Sequence, residues 1–176
     1  MQETCDGIII QKPIPDEYWQ AALDIFQPMK DISGMLKNSY FDATVPLGIC
    51  KYLDYCGYDL DGKNVVIIGR SEIIGKPLTK MMLDRNATVT LCHSHSKNVK
   101  IDNIDLIVTA VGKANFLDCS QVNSSTLVVD AAINFDAAGR MVGDCFNTDG
   151  KEITPVPGGV GLLTRCALLD NLCRHI

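Results

Sequence analysis

The residues best suited to chemistry lie where an apolar run ends in a glycine and a helix-like segment begins. The apolar run is Val65–Ile68, and Gly69, Arg70 and Ser71 follow it directly. Four consecutive apolar residues are typical of a strand that is covered on both faces, as in a parallel sheet. Gly69 lets the backbone turn sharply, and the N-terminus of the next helix offers free N–H groups and a positive dipole end to an anion. This segment therefore predicts a site for the phosphates of a dinucleotide.

The glycine spacing departs from the usual G-x-G-x-x-G pattern of dinucleotide sites. Ser71 stands at the position of the second glycine, and Gly75 comes one residue late. Gly75 allows the close approach of either a phosphate or another stretch of backbone. The glycines alone fit an ordinary strand-to-helix turn equally well, so the choice depends on the residues that follow.

A polar segment after the next strand-like run indicates which dinucleotide would bind. That run is Ala87–Cys92, and the sequence His-Ser-His-Ser-Lys follows it at His93–Lys97. An NAD site places a carboxylate here on the ribose hydroxyls, and a carboxylate would repel a 2′-phosphate. Hydroxyl, imidazole and ammonium groups can bind a 2′-phosphate, because they donate hydrogen bonds to its oxygens. Together with Arg70, these residues favour NADP over NAD.

The elements that must position these residues alternate along the chain. Apolar runs predict strands at 65–68, 87–92, 105–111 and 126–131, with a helix at 78–85 between the first two. Such alternation predicts right-handed crossovers and an α/β fold of the Rossmann-like, doubly wound type with a mostly parallel sheet. Ligands then bind beyond the carboxyl ends of the strands. We therefore expect residues 69–71, 93–94, 112–113 and 132–134 around one crevice.

The flanking segments have a different pattern. A short β-rich run is predicted at Asp6–Ile10, and apolar positions at helical spacing predict a helix over 16–26 with Asp16 as its N-cap. Residues 27–45 are irregular, and a short amphipathic helix is predicted over 48–55. A rigid loop, Thr154–Gly161, precedes a last helix over about 162–173.

Composition excludes several classes of protein. The chain has 176 residues, 47% of them hydrophobic, and a net charge of −5, which argues against a nucleic-acid surface. No apolar segment reaches the length of a membrane span, and we expect no signal peptide.

The eight cysteines form no C-x-x-C pair, so we expect reduced thiols in a cytoplasmic protein. The Cys92-His93-Ser94-His95 run is too close-set for tetrahedral zinc, and no metal is expected.

Three separated motifs resemble the methylenetetrahydrofolate dehydrogenase/cyclohydrolase family. The first begins at Asp6 and runs through Gln11 to Pro15, and the second runs from Gly69 to Ser94. The third is the closing Ile153–Thr164 segment, with its Pro-Gly-Gly-Val-Gly sequence. The resemblance covers nearly the whole chain. It implies a Rossmann-like NADP domain beside a smaller folate-binding domain, with the substrate in the cleft between them.

The resemblance assigns roles to particular positions. It implies that the cofactor is held by Gly69, Arg70, Ser71 and Gly75, with Ser94 at the 2′-phosphate and the Ile133 backbone at the nicotinamide. It implies that the folate substrate is held by Gln11, Gly158, Gly159 and Val160. The implied domains are 1–59 (part of the folate-binding domain), 60–152 (NADP-binding) and 153–176 (the glycine-rich loop and a helix returning to the folate domain).

The chain also departs from the family pattern. Family members carry an earlier segment with a Tyr-x-x-x-Lys motif, whose lysine is the acid/base of the cyclohydrolase step, and no match to it is present in this sequence. No catalytic residue is therefore assigned. The second aspartate of the family's Lys-Asp-Val-Asp-Gly, which holds the pterin, is Ser33, and a hydroxyl accepts less well from two N–H groups than a carboxylate does. Asp31 is near enough in sequence to bind a substrate, but we do not assign it that role.

Two main functions fit these observations. The first is an NADP-dependent methylenetetrahydrofolate dehydrogenase of one-carbon metabolism, with weak or absent cyclohydrolase activity in this chain alone. The second is an NADP-binding module without catalysis, or half of a split enzyme completed by a partner chain. Family analogy also implies a homodimer. A different Rossmann oxidoreductase, such as a shikimate dehydrogenase relative, fits the Pro-Gly-Gly-Val-Gly loop and the Gln11 segment less well.

Overall fold

The fold centres on one parallel sheet. The computed structural model describes residues 4–11, 14–97 and 103–175, without the side chains of residues 16 and 175. The helices are α1 (Asp16–Ile25), α2 (Thr44–Tyr55), α3 (Gly75–Leu83) and α4 (Val160–His175). The strands are β1 (Asn64–Ile68), β2 (Thr88–Cys92), β3 (Leu106–Thr109), β4 (Leu117–Asp118), β5 (Leu127–Asp130), β6 (Asn134–Phe135), β7 (Met141–Val142) and β8 (Cys145–Phe146).

The order of the main sheet creates the point at which a ligand is expected. The four strands lie in the order β2-β1-β3-β5, and all their pairings are parallel. The chain runs outward from β1 to β2 and then crosses back to β3 on the other side of β1. Ligands of open α/β sheets bind at the carboxyl edge where the strand order reverses in this way. In this protein that point lies between the ends of β1 and β3.

Apolar packing on the sheet explains why the strands read as continuous hydrophobic runs. Ile67, Val108 and Val129 on the sheet form one buried cluster with side chains of α2 and α3, among them Leu53 and Leu78. All residues of β3 and β5 are buried. Burial on both faces favours unbroken apolar strands over alternating ones. The α/β, Rossmann-like fold expected from the sequence is confirmed.

Several helix boundaries differ from the sequence expectation. α3 begins at Gly75, three residues earlier than expected, and α2 begins at Thr44 because Pro46 lies in its first turn, where proline costs no hydrogen bond. α1 begins at Asp16 itself, with Pro15 at the cap position, so the expectation of Asp16 as N-cap was wrong. α4 also begins two residues earlier than expected, at Val160.

Two expected strand features are also different. The Asp6–Ile10 run forms only one isolated parallel bridge, between Ile8 and Asp31. Positions 12 and 13 of the first motif lie outside the described residues. The connection from β3 to β5 holds β4 and a 3₁₀ turn at Cys119–Gln121 instead of the helix that alternation predicts. β4 pairs in parallel with β8, which ties this connection to the segment after β7.

No helix in the described part of the chain combines the length and the apolar character that crossing a membrane requires.

The contact between α2 and α4 is made backbone to backbone at Gly48. A Cβ added to Gly48 would lie 2.8 Å from the carbonyl carbon of Leu163. The same helix pair is linked to the preceding segment by Asn171, whose side-chain amide donates to the carbonyl oxygens of Ile32 and Asp42 at 2.9 and 3.0 Å. Close packing at Gly48 therefore fixes the position of α4.

We predict that Gly48→Ala lowers the free energy of unfolding by about 1–3 kcal/mol, because the added methyl forces the helix backbones apart. Gly161→Ala is the matched control on α4, since a Cβ there meets no atom within 4 Å. Alanine favours a helix over glycine by about 1 kcal/mol, so the control should be neutral or stabilising. Urea unfolding measures both variants, and equal stability of Gly48→Ala and the wild type would contradict this packing.

Candidate nucleotide and substrate site

The turn after β1 is formed by close backbone contacts. Gly69 has φ +121°, and its N–H donates to the carbonyl oxygen of Cys92 at 2.9 Å. A Cβ at Gly69 would collide with the carbonyl oxygen of Ala110, the residue that follows β3. Glycine is therefore required here both for its φ and for the space between the ends of β1 and β3.

Gly75 brings α3 directly against this turn. A Cβ at Gly75 would collide with the carbonyl oxygen of Gly69. Of the two partners that the sequence allowed for Gly75, a phosphate or another backbone, the structure supplies the backbone. Ser71 closes the turn, because its Oγ accepts from the N–H of Ile74 and its carbonyl oxygen accepts from the N–H of Lys76, each at 3.1 Å.

Arg70 and Ser94 lie at equivalent positions just beyond the ends of the neighbouring strands β1 and β2. Ile68 pairs with Cys92 in the sheet, and each side chain is two residues beyond that pair. Both side chains are exposed. A cation and a hydroxyl are therefore both exposed beyond the carboxyl ends of two neighbouring strands.

Besides burial, the positive charge of Arg70 is one of the causes that lower the pKa of His93. Partial burial is the largest cause that lowers the pKa of His93, and the positive charges of Arg70 and then His95 lower the pKa further. The Nδ1 of His93 accepts from the N–H of His95 at 3.1 Å, so the neutral ring carries its proton on Nε2. The N–H of His93 donates to Ser96 Oγ at 2.9 Å, which closes this turn. No three His, Cys, Asp or Glu side chains are grouped to hold a metal anywhere in the described ranges.

A cleft of about 620 Å³ lies beside the ends of β5 and α4. It is lined by five residues to which the family resemblance assigns a ligand-binding role, namely Gln11, Ile133, Gly158, Gly159 and Val160. Gly69, Arg70, Ser71, Gly75 and Ser94 are not among its lining residues and instead surround the ends of β1 and β2. Ile73, in the turn before α3, lines the cleft and so connects the two regions.

The glycine-rich loop forms one wall of this cleft. Gly158 is exposed with φ +102°, and a Cβ at Gly159 would collide with the carbonyl oxygen of Pro155. Thr154, just before this loop, accepts from the N–H of Asp130 through its Oγ1 at 2.9 Å. The loop is therefore fixed to the end of β5 and presents bare backbone to the cleft.

Asp31 is not available as a substrate ligand. It is fully buried, and its carboxylate accepts from Ser33 Oγ at 2.7 Å and from the N–H of Leu36 at 2.7 Å. Ser33, by contrast, lines the cleft. Because the Ser33 proton is donated to Asp31, the lone pairs of Ser33 Oγ are free to accept a hydrogen bond from a ligand.

Two further cleft residues were not among the site residues expected from the sequence. Trp19, one of the apolar positions behind the predicted helix over 16–26, lines the cleft, and so does Asp130. Asp130 is 2% exposed, and its carboxylate accepts from the N–H groups of Ala132 and Cys145 at 3.1 and 2.9 Å. A tryptophan at helical spacing looks the same in sequence whether it packs a core or borders a cleft. A sequence signal for Asp130 was present, since it ends a buried strand at the edge where ligands bind.

A parallel sheet with a glycine turn at its switch point, beside a cleft with a stiff glycine-rich wall, defines a dinucleotide-binding α/β protein. Comparison with known proteins agrees. Residues 43–176 match the model of the tetrahydrofolate dehydrogenase/cyclohydrolase, NAD(P)-binding domain family. The chain therefore belongs to the tetrahydrofolate dehydrogenase/cyclohydrolase family.

Individual relatives cover almost all of this chain. It is 39% identical to the bifunctional protein FolD of Bacillus velezensis, with 96% of this chain and 65% of the relative matched. The crystal structure of the bifunctional enzyme FolD from Campylobacter jejuni has a TM-score of 0.86 at 35% identity, with 97% of this chain and 66% of the other covered. The crystal structure of the corresponding enzyme (FolD) from Trypanosoma brucei, complexed with NADP cofactor and inhibitor, has a TM-score of 0.85 at 28% identity. The match covers 99% of this chain and 67% of the other. The chain thus spans about 65% of the length of the curated relatives it matches.

We predict that Arg70→Gln raises the pKa of His93, because removing the neighbouring positive charge makes protonation of the imidazole easier. An NMR titration of the imidazole resonances measures the change. Lys76→Gln is the control, since the Lys76 ammonium pairs with Glu72 and is not among the charges that lower the pKa of His93. An equal pKa for His93 in the wild type and in Arg70→Gln would show that the two side chains are not close enough to interact.

Proposed function

We propose that this chain is an NADP-dependent methylenetetrahydrofolate dehydrogenase, which oxidises 5,10-methylenetetrahydrofolate to the methenyl compound. The observation that carries the proposal is the continuity of the carboxyl edge of the sheet with the cleft through Ile73 and Ile133. A dinucleotide at the switch point then reaches the cleft with one end, while the other end lies at β2. We propose residues 60–152 as the NADP-binding domain, with 1–59 and 153–176 forming the substrate side.

The residues at the ends of β1 and β2 fit the adenosine end of NADP. The turn from Gly69 to Gly75 and the start of α3 would hold the pyrophosphate, because a helix N-terminus favours an anion. Arg70 and Ser94 would hold the 2′-phosphate through charge-assisted hydrogen bonds. The described residues 93–97 include no carboxylate that would repel this phosphate.

The cleft fits a flat substrate stacked on a flat ring. Bound NADP supplies the acceptor for a hydride, and hydride transfer mainly requires the two reacting rings to be held in contact at about 3.5 Å. Ile133 and the wall formed by Gly158 and Gly159 would position these rings and exclude water. Gln11 would accept and donate hydrogen bonds at the polar edge of the folate, and the free lone pairs of Ser33 would accept them.

Hydrolysis of the methenyl product has less support from this cleft. Water attack needs a group that moves a proton, which typically contributes a hundredfold or more. Asp130 and Arg165 are the ionisable side chains among the described residues that line the cleft. Both oxygens of Asp130 already accept backbone N–H groups, and arginine does not release its proton. We therefore propose that the chain alone is weak as a cyclohydrolase.

A second proposal, a module that needs a partner chain, is favoured by exposed apolar side chains. Tyr18 and Ile25 on α1 are 62% and 73% exposed, Tyr40 is 79% exposed, and Leu169 on α4 is 61% exposed. Exposed large apolar side chains are typical of surfaces that another polypeptide covers. The partner would be a second copy of this chain or a chain that supplies further folate-binding residues.

Titration of the purified chain with NADP and, separately, with tetrahydrofolate distinguishes these proposals. The dehydrogenase proposal expects both to bind and methylenetetrahydrofolate to reduce NADP. Binding of NADP without tetrahydrofolate would support the module that needs a partner. Absence of NADP binding would contradict both proposals.

We predict that Ser94→Asp weakens NADP binding by about tenfold or more, because a carboxylate at this position repels the 2′-phosphate. Affinity for NAD should stay equal or rise, since the same carboxylate can accept from the ribose hydroxyls. Ser124→Asp makes the same charge change at an exposed turn before β5, at the amino edge of the sheet, and serves as the control. Isothermal titration calorimetry measures both cofactors. Equal loss of NADP and NAD affinity in Ser94→Asp would contradict the assignment of Ser94 to the 2′-phosphate.

We predict a pH dependence of NADP affinity that arises from His93. Its pKa is lowered in the free protein, and a bound 2′-phosphate would raise this pKa by favouring the imidazolium. Binding therefore takes up a proton, and affinity rises as the pH falls through the pKa of His93. His93→Asn removes this contribution while the titration of the phosphate itself remains. The measurement is the Kd for NADP against pH in the two proteins, and parallel curves would contradict a role for His93.

A further inference from the structure

A buried carboxylate holds the loop that follows β3. Asp144 is 0% exposed and lies between β7 and β8. Its Oδ2 accepts from the N–H groups of Val111 at 2.7 Å and Gly112 at 3.3 Å, and its Oδ1 accepts from the N–H of Lys113 at 2.7 Å. Three consecutive backbone donors thus converge on one side chain.

The rest of Asp144 strengthens the same connection. Its carbonyl oxygen accepts from the N–H groups of Phe116 and Leu117 at 2.7 and 3.1 Å, so one residue holds both ends of the loop from Val111 to Leu117. Asn134 donates its side-chain amide to Oδ1 of Asp144 at 3.0 Å. Asn134 directly follows Ile133 of the cleft, so Asp144 links the loop after β3 to the residues that follow β5.

Asp144 is itself fixed by the end of β5. Asp130 Oδ2 accepts from the N–H of Cys145, and a Cβ at Gly143 would collide with the Asp130 carboxylate. The residues on both sides of Asp144 are therefore anchored to Asp130. A carboxylate fixed in this way can determine where the loop lies, because several charge-assisted hydrogen bonds in a dry environment are strong and directional.

The loop that Asp144 holds lies at the switch point of the sheet. Ala110, just before it, donates its N–H to the carbonyl oxygen of Ile68 at 2.8 Å and packs against Gly69. Because Asp144 uses the N–H groups of residues 111–113, the loop does not offer these groups to a phosphate. It presents the exposed side chains of Val111 and Lys113 instead. These lie between the pyrophosphate turn at β1 and the cleft at β5.

We propose that Asp144 is a positioning residue for the nicotinamide half of the cofactor. This inference rests on the proposed NADP site. Asp144 fixes the loop of residues 111–113 in the conformation that borders the dinucleotide between its pyrophosphate and its nicotinamide. The adenosine half lies over β1 and β2 and does not depend on this loop.

The test compares two ligands in Asp144→Asn. NADP spans the whole edge of the sheet, whereas adenosine 2′,5′-bisphosphate reaches only the β1–β2 side. In the variant, the side-chain NH₂ must face a backbone N–H, so at least one donor of the loop loses its partner. We expect the Kd for NADP to rise about tenfold or more while the Kd for adenosine 2′,5′-bisphosphate stays within about twofold. Amide hydrogen exchange at residues 111–113 should become faster.

Asp118→Asn is the matched control. The Asp118 carboxylate also accepts a backbone N–H, that of Ser120 at 3.0 Å, but it makes no contact with the 111–113 loop among the described hydrogen bonds. Both Kd values should remain at the wild-type level in this variant.

The outcomes separate this proposal from the proposed function. If the wild type binds both ligands and Asp144→Asn binds both with unchanged Kd, or with equal weakening of both, the role of Asp144 is wrong and the proposed function stands. If the wild type binds neither ligand, the proposed function is wrong and the role of Asp144 falls with it.

Should Asp144→Asn not fold, Gly112→Ala replaces it. Gly112 has φ +73° and open space around it, so the added methyl strains only the loop. An unchanged ratio of the two Kd values in that variant would overturn the proposal.

Discussion

The structure depends on the contact of three backbone segments at the end of β1. Gly69 fits between the carbonyl oxygen of Ala110 and the start of α3, and Gly75 meets the carbonyl oxygen of Gly69. Neither position has room for a Cβ. This contact brings α3 to the switch point and sets its N-terminus over the carboxyl edge, so the fold and the proposed phosphate site have one physical origin.

The second constraint is the way in which buried carboxylates organise the polar edge. Asp31 holds Ser33 and Leu36, Asp130 holds Ala132 and Cys145, and Asp144 holds the loop after β3. Each carboxylate is buried and accepts hydrogen bonds from the backbone of the loop beside it. Their role is to fix loops, and the groups that would contact ligands are the exposed side chains and bare backbone that these loops present.

The sequence predicted the sheet well because its strands are continuous apolar runs that end in glycine or polar residues. It also predicted that Gln11, Ile133 and the loop at Gly158 and Gly159 lie together, although this rested on resemblance to a family. The missing helix between β3 and β5 could not be predicted, since the loop there is held by Asp144, which is 31 to 33 residues away in the chain. The role of Trp19 at the cleft depends likewise on tertiary contacts that no local pattern encodes.

We propose above that NADP lies along the carboxyl edge from β2 to the cleft. Addition of NADP to isotope-labelled protein, followed by amide chemical shifts, tests it directly. We expect the largest shifts at residues 69–75, 93–96 and 132–134. Shifts confined to a different region, such as the separate cavity bordered by Tyr40 and Asn171, would contradict it.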